Sequence, residues 1–255
     1  MNFLTCTHTD IGTKKKTNQD SMLVMQASTA QGQVLLASVC DGMGGLAKGE
    51  VASAAMISAL QKWFTKDFPV LLKDGFTETG LQAQWRELVK STGQRIMDYG
   101  VGFHAELGTT CVALLIVGNQ YYLMNVGDSR VYLFTDNAYL LTKDQTVIQR
   151  EIDEGRLTYE EALVHPNRGM LLQCIGASRY VDPVFGKGST QEGQSFMLCS
   201  DGFRHVITPQ EFLDAFYPPY LTSYETMKQR LEALTRLNIQ RRETDNISAI
   251  LVKTY

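Results

Sequence analysis

Five aspartates lie in turns or next to apolar, strand-like runs, and their type and placement could support chemistry. They are Asp20 in TNQDS, Asp41 in VCDGMGG, Asp128 in NVGDSR, Asp201 in MLCSDG and Asp245 in ETDNIS. A single Asp-Gly pair is usually a turn, but turns alone explain five such acids poorly. Carboxylates brought together repel one another unless cations neutralise them. Because Mg²⁺ and Mn²⁺ prefer oxygen ligands, the acids predict a site for hard divalent ions.

The glycine-rich loop after Asp41 allows a second interpretation. Gly42-x-Gly44-x-x-Ala47 stands between a predicted strand and a predicted helix and fits a dinucleotide fingerprint. However, Asp41 would repel a pyrophosphate. The nearest acid at the expected spacing, Asp67, follows a helix instead of ending a second strand. These features favour a metal ion over a dinucleotide.

Composition excludes several other classes of protein. The chain has 255 residues, 44% of them hydrophobic and 20% charged, with a net charge of −3. This charge gives no attraction to nucleic acid or to an anionic membrane surface. No signal peptide and no apolar run of about eighteen residues is visible, so we expect a cytoplasmic protein. The five cysteines are widely spaced without a CxxC pair, so we expect reduced, buried thiols. The chain has only four histidines, which argues against a zinc hydrolase.

The order of predicted elements indicates one domain, residues 1–255, with antiparallel sheets covered by helices. Strands come in runs joined by turns, which argues against a doubly wound parallel sheet. The predicted strands are 21–25, 34–40, 109–117, 120–126, 130–134, 196–200 and 247–252. Two helices are predicted at 50–64 and 77–99, and two more begin at the capping signals Thr208-Pro209-Gln210-Glu211 and Thr222-x-x-Glu225. The apolar stripe of helix 50–64 is formed by Val51, Ala55, Leu60 and Trp63/Phe64.

A series of motifs spans almost the whole chain in a fixed order. They are TNQDS, VCDGMGGLAKGEVAS, LGTT, NVGDSRVYL, LTKD, EALVHPNRGMLLQCIG, LCSDG and TDN. In this order they resemble the metal-dependent serine/threonine protein phosphatases of type 2C, in their short bacterial form. The resemblance implies an α+β fold, a four-layer α-β-β-α sandwich. Two antiparallel sheets would pack face to face with helices outside, and the metal site would lie at one end.

The resemblance also implies a cofactor and its ligands, two Mn²⁺ or Mg²⁺ ions that share Asp41. The Gly42 carbonyl would bind one ion, and Asp201 and Asp245 would hold the other. Asp20 corresponds to an acid near the second ion that often acts through water. In the family, a water bridging the ions attacks phosphorus in line, without a phosphoenzyme.

Several positions depart from the common pattern of the family. Lys15 stands where an arginine usually binds the substrate phosphate, Gln19 replaces a frequent glutamate, and Met43 replaces a proposed general acid. Asp128 matches an acid that helps to bind a third, weaker ion. A further acid common at such a site is replaced by His205, which would then be either an unusual ligand or a plain surface residue.

The segment 144–168 resembles the family's flap beside the active site, with His165 as its first residue to test. The expected partners are phosphorylated proteins, in opposition to a serine/threonine kinase, and the expected state is a monomer. A competing hypothesis is a catalytically weak relative that binds phosphoproteins as a regulator. This hypothesis would account for Lys15, Gln19 and His205. Against it, the three acids that would hold the metal pair, Asp41, Asp201 and Asp245, are all present.

Overall fold

The computed structural model describes residues 1–44, 48–163 and 165–255, so that Ala47 of the glycine-rich loop lies outside the described residues. These residues form two antiparallel sheets. In spatial order, the first sheet contains β1 (Phe3–Asp10), β11 (Ile247–Thr254), β10 (Ser195–Cys199), β7 (Arg130–Phe134) and β8 (Ala138–Leu140). The second contains β2 (Asp20–Thr29), β3 (Gly32–Gly44), β5 (Cys111–Val117), β6 (Gln120–Val126) and β9 (Val184–Ser189), with β4 (Leu107–Thr109) paired to the end of β3.

The helices lie outside the two sheets or in the segments that connect their strands. They are α1 (Gly49–Lys73), α2 (Glu78–Val101), α3 (Val147–Asp153), α4 (Tyr159–Leu163), α5 (Asp201–Arg204), α6 (Pro209–Phe216) and α7 (Tyr224–Gln240), with a 3₁₀ turn at Pro218–Tyr220. The second sheet packs against α1 and α2, and the first packs against α6 and α7. The predicted α-β-β-α sandwich is therefore confirmed.

Strand β5 shows why the two sheets stack. Its side chains alternate between two apolar environments, because successive residues of a strand point to opposite faces. Val112, Leu114 and Ile116 belong to the core between the sheets, whereas Ala113 and Leu115 pack in the core under the helices. A strand buried on both faces reads as a continuous apolar run, and this run made β5 predictable.

The helices differ from their sequence predictions in detail. In α1 the predicted Leu60, Trp63 and Phe64 are buried, whereas in the first half of the helix Ala52 and Met56 are buried and the predicted Val51 and Ala55 are only partly buried. The helix also continues to Lys73 instead of ending at residue 64.

Capping sets the starts of the two later helices. At the start of α6 the predicted capping box is present: Thr208 accepts from the Glu211 N–H, and Glu211 accepts from the Thr208 N–H. Helix α7 is capped by Ser223, one residue beyond the predicted Thr222, because the Ser223 side chain accepts from the Thr226 N–H. In each case the capping oxygen pairs with an N–H that has no partner within the helix.

The two ends of the chain meet on one sheet. Strand β1 pairs with β11 along its whole length, from Phe3 opposite Thr254 to Asp10 opposite Ile247. The Asn2 N–H also donates to the Tyr255 carbonyl at 2.6 Å. No helix in the described parts of the chain is long and apolar enough to cross a membrane.

Candidate metal centre

The second sheet places two of the predicted acids side by side. Asp20 is the first residue of β2, and its direct cross-strand partner is Asp41, near the end of β3. Like charges directly opposite each other in a sheet are destabilising. The backbone of Asp41 is fixed by the LGTT motif: its N–H donates to Thr110 Oγ1 at 2.9 Å, and its carbonyl accepts from the Thr110 N–H at 2.8 Å. This pairing holds two carboxylates together despite their repulsion.

The first sheet supplies two more acids at the same end of the sandwich. Asp201 follows β10 as the first residue of α5, and Asp245 lies two residues before the neighbouring strand β11. The two turns touch at Gly202, where a Cβ would lie 2.2 Å from the Asn246 carbonyl oxygen. Any side chain at residue 202 would therefore separate Asp201 from Asp245.

Gly42 is required for a similar reason. A Cβ at this position would lie 2.2 Å from the carbonyl oxygen of Gly49, at the start of α1, and 2.6 Å from that of Gln19. The close approach of the helix start to β3 explains this glycine without a bound ion. It also leaves the Gly42 backbone in the wall of the cavity described below.

Two buried side chains, Ser200 and Asn246, join the acids of the two sheets. Ser200 Oγ donates to Asp20 Oδ2 at 2.8 Å. Asn246 accepts from the Gln19 N–H at 2.9 Å and donates to the Ile11 carbonyl at 2.9 Å, which ties the loop between β1 and β2 to the start of β11. Sequence reasoning assigned neither residue a role, although both stand in the quoted motifs LCSDG and TDN.

Four of the five aspartates, all except Asp20, line one cavity of about 440 Å³, which we call the carboxylate cavity. It is lined by Lys15, Gln19, Asp41, Gly42, Met43, Thr110, Asp128, Gly169, Leu171, Asp201 and Asp245. Lys15 supplies the positive charge in this lining, and its Nζ lies 2.6 Å from Asp245 Oδ1. Burial acts to lower the pKa of Lys15, but the bond to Asp245 and the other carboxylates raises it above its ordinary value.

The electrostatics of the cavity show an excess of negative charge. Burial raises the pKa of Asp41 well above its ordinary value, and the charges of Asp20 and Asp201 raise it further. Burial also raises the pKa of Asp20 to about 7, although hydrogen bonds from Ser200 and Ser248 oppose the shift. In addition, Asp20 Oδ1 and Asp201 Oδ1 are buried without a hydrogen-bond partner. Unpaired, mutually repelling carboxylate oxygens are the donors that a hard cation would satisfy.

The side-chain and backbone atoms that these residues offer as metal ligands are all oxygens, and hard divalent ions such as Mg²⁺ and Mn²⁺ prefer oxygen ligands. In the described parts of the chain, no three Asp, Glu, His or Cys side chains are yet gathered into a closed cage around one position. Asp41, Asp201 and Asp245 instead line an open cavity, where Asp245 pairs with Lys15, while Asp20 lies opposite Asp41 and accepts from Ser200. Asp20, Asp41, Asp201 and Asp245 are the residues whose oxygen donors fit such ions.

The predicted ligands of a third ion, Asp128 and His205, do not fit such an ion. Asp128, in the turn between β6 and β7, accepts from Arg204 Nη2 at 3.3 Å through Oδ2 and at 3.1 Å through its carbonyl. His205 lies between Asp201 and Glu243, with Nε2 3.3 Å from Asp201 Oδ2 and Nδ1 3.3 Å from Glu243 Oε2. Asp128 is therefore paired with Arg204, and His205 with Asp201 and Glu243, within the protein.

The Asp128 carboxyl and the His205–Glu243 pair have shifted pKa values. Burial and the charge of Asp201 raise the pKa of Asp128 to about 7, against the influence of Arg204. Burial acts to raise the pKa of Glu243, but His205 and the N–H groups of Asp245 and Thr244 together outweigh it and lower the value to about 2. The pKa of His205 is raised, because its two carboxylate neighbours outweigh burial.

The segment 144–168, apart from residue 164, contains α3 and α4 and is anchored at its first residue. Arg130 forms a bidentate pair with Asp144, at 2.7 and 2.8 Å. His165 lies in the turn after α4, where its Nδ1 accepts from the Asn167 N–H at 3.2 Å. The residues of this region that line the cavity are Gly169 and Leu171, just beyond the predicted flap.

Comparisons with known proteins place the chain among bacterial relatives. The family profile described as Protein phosphatase 2C matches residues 12–244. A putative protein phosphatase 2C-type of Streptococcus pyogenes serotype M6 is 31% identical over 248 residues, 96% of this chain and 94% of the relative. The solved serine/threonine phosphatase of S. agalactiae is 27% identical with a TM-score of 0.84, covering 100% of both chains. The catalytic domain of the serine/threonine protein phosphatase PstP, in complex with two manganese ions, is 28% identical with a TM-score of 0.78, covering 98% of this chain and 97% of that one.

Proposed function

The chain belongs to the protein phosphatase 2C family and is a serine/threonine protein phosphatase, and from this premise we propose that its reaction takes place in the carboxylate cavity. The observation that carries this proposal is the convergence of acids from both sheets on one cavity that also contains Lys15. Burying several carboxylates together costs stability unless cations are bound. A purely structural role does not account for this cost.

The cofactor is divalent, and we propose two Mn²⁺ or Mg²⁺ ions. Asp41, Asp20, Asp201, Asp245 and the Gly42 carbonyl would hold them. When bound, such ions act as Lewis acids that neutralise phosphate charge and make water a better nucleophile at neutral pH. The orphaned oxygens of Asp20 and Asp201 and the raised pKa of Asp41 support this ligand set.

The chain's own residues would then position the substrate. Lys15 is the cation that would bind the phosphate, once Asp245 turns from its ammonium group. Lysine supplies charge without the two-pronged contact of a guanidinium. Gly169 and Leu171 form the wall of the cavity that the rest of a phosphorylated protein would meet. Met43, which also lines the cavity, carries no proton to transfer, so proton delivery to the leaving oxygen falls to water or to another group.

The remaining features of the proposal concern the whole protein. Its substrates would be proteins phosphorylated on serine or threonine, in opposition to a serine/threonine kinase. Residues 1–255 would act as one domain, as a cytoplasmic monomer. The common sandwich core, to which both the first and the last strand contribute, supports the single domain.

The experiment measures hydrolysis of a phosphothreonine peptide by the purified protein with Mn²⁺. We expect activity that EDTA removes, and we expect Asp41→Asn and Asp201→Asn each to lower kcat at least about 100-fold. The matched control is Asp98→Asn, an exposed carboxylate on α2 that pairs with Gln94. Its kcat should equal that of the wild type.

The same experiment tests the alternative, a weak relative that binds phosphoproteins. Retained binding of a phosphoprotein without metal-dependent hydrolysis would support this regulator and refute the enzyme. Equal activity of wild type and Asp201→Asn would refute the assignment of the carboxylate cavity.

A further inference from the structure

Arg204 lies where the family resemblance predicted a third divalent ion. It is the last residue of α5, three residues after Asp201, and its side chain turns inward with only 10% of its surface exposed. Its Nη2 lies 3.3 Å from Asp128 Oδ2 and 3.2 Å from Asp144 Oδ2. Those two side chains are 7% and 9% exposed, so the group is shielded from solvent.

The geometry makes this arginine a bridge between two parts of the site. Asp128 lies in the turn between β6 and β7 and faces the carboxylate cavity, whereas Asp144 opens the segment 144–168. Asp144 already has a bidentate partner in Arg130. Arg204 contacts both carboxylates, and among the described residues it is the side chain that forms a salt bridge with Asp128. An Asp128 oxygen that accepts from a guanidinium is a poor ligand for a dication, because the two positive charges would repel each other.

The second predicted ligand of the third ion is committed as well. His205 contacts Asp201 through Nε2 and Glu243 through Nδ1, both at 3.3 Å. Neither ring nitrogen is left to face Asp128. In the described residues, the two side chains expected to share a third ion therefore have separate internal partners.

We propose that Arg204 is a positioning residue that supplies at Asp128 the positive charge expected of a third ion, so that this phosphatase binds two divalent ions and not three. This inference rests on the proposed metal site in the carboxylate cavity and deepens it. Arg204 holds Asp128 in place without a metal that could dissociate. The second ion pair, to Asp144, fixes the start of the segment 144–168 relative to that carboxylate.

The test counts bound Mn²⁺ per chain by equilibrium dialysis, using free Mn²⁺ from micromolar to several millimolar. We expect a count of two for the wild type and for Arg204→Lys, which keeps the charge. Arg204→Ser removes the guanidinium and leaves Asp144 paired with Arg130, so its count should rise to three. Adding His205→Asp to Arg204→Ser supplies another carboxylate and should tighten the third site at least tenfold.

A second variant keeps the test decisive if Arg204→Ser does not fold. Asp128→Asn removes the carboxylate that any third ion needs. If our inference is correct, this variant binds two Mn²⁺ ions per chain, as the wild type does. A wild-type count of three that falls to two in Asp128→Asn would overturn the inference and leave the phosphatase proposal intact. A folded Arg204→Ser with a count of two would overturn it as well. A wild-type count of zero would overturn the proposed metal site itself, and with it this inference.

Discussion

Replacing Asp20 by asparagine should stabilise the metal-free protein at alkaline pH, although it removes a proposed metal ligand. The pKa of Asp20 is raised from 3.8 to about 7, first by burial and then by Asp201 and Asp245. Below the pKa of about 4 that Asp20 has in the unfolded chain, the folded protein keeps its full stability, because Asp20 is protonated in both states. As the pH rises from 4 to 7 this stability is lost, because the unfolded chain releases the proton more easily than the folded protein does. One pKa unit corresponds to about 1.4 kcal/mol, so three units give about 4 kcal/mol at pH 8.

Relaxation of the charged site will reduce this magnitude, so we expect Asp20→Asn to stabilise the protein by about 2–4 kcal/mol at pH 8 and by only about 0.5–1 kcal/mol at pH 4.5. The asparagine oxygen can still accept from Ser200, which donates to Asp20 Oδ2 at 2.8 Å. The assay is urea unfolding in EDTA at both pH values. For a chain of this size the gain at pH 8 corresponds to on the order of 10 °C in Tm.

Two further measurements complete the design. Adding Mn²⁺ at pH 8 should stabilise the wild type far more than the variant, because the variant lacks one carboxylate for the ions. The control Asp98→Asn, whose carboxylate pairs with Gln94 on the exposed face of α2, should change stability by less than about 0.5 kcal/mol at either pH. If Asp20→Asn were destabilising by the same amount at both pH values, the electrostatic reasoning would be refuted.

Three other substitutions address separate contacts of the site. Lys15→Met should raise the KM for a phosphopeptide about tenfold because a charge-assisted contact is lost, whereas Lys15→Arg should keep most of the affinity; an unchanged KM in Lys15→Met would contradict the role. Ser200→Ala should weaken Mn²⁺ binding about tenfold in titration calorimetry, since it releases Asp20 from its buried donor, and equal affinity would refute that link. His205→Gln should lower the free energy of unfolding by about 1–3 kcal/mol at pH 6 and by less at pH 9. The reason is that the pKa of His205 is raised in the folded protein, so that the stability from its charged form is lost as the pH rises through this pKa. A loss of stability independent of pH would show that the pairing with Glu243 is not ionic.

The acids of the site could be predicted because each lies beside a run of apolar residues. A buried strand such as β3 or β10 is visible in the sequence as an apolar segment, and the acid after it marks the end of the sheet. The meeting of Asp201 and Asp245 then follows from the pairing of β10 with β11. Their assignment as metal ligands came from the family resemblance and stays a prediction.

The partners of these acids could not be predicted, because they lie far away in the sequence. Ser200 reaches across 180 residues to Asp20, and Asn246 across 227 residues to Gln19. Nothing local in the sequence indicates that Arg204 turns inward to Asp128, 76 residues away. Such contacts depend on the packing of the two sheets, which no single segment encodes.

Some strands were missed for local reasons. Strand β1, FLTCTHTD, pairs only with β11, at the edge of its sheet, and only Phe3 and Cys6 of its eight residues are buried, so its alternation of apolar residues is weak. Strand β9, VFGKGS, contains two glycines and is mostly exposed, which lowers its strand propensity. The predicted strand 109–117 is interrupted at Thr110, where the Thr110 hydroxyl, and not its carbonyl, accepts from the Asp41 N–H of β3, so the regular backbone ladder breaks there.

The pairing of the first and last strands also determines where other molecules can be attached. Strand β1 runs from Phe3, beside Thr254, to Asp10, beside Ile247 and close to Asp245. Eight residues of strand span about 27 Å, so the two termini emerge side by side at the end of the sandwich remote from the carboxylate cavity. An affinity tag, a fluorophore or a surface tether at either terminus would leave the cavity mouth facing away from the support. A short linker joining Tyr255 to Met1 would also permit circular permutation of residues 1–255, with new ends at the turn Gly118-Asn119, where Asn119 is exposed.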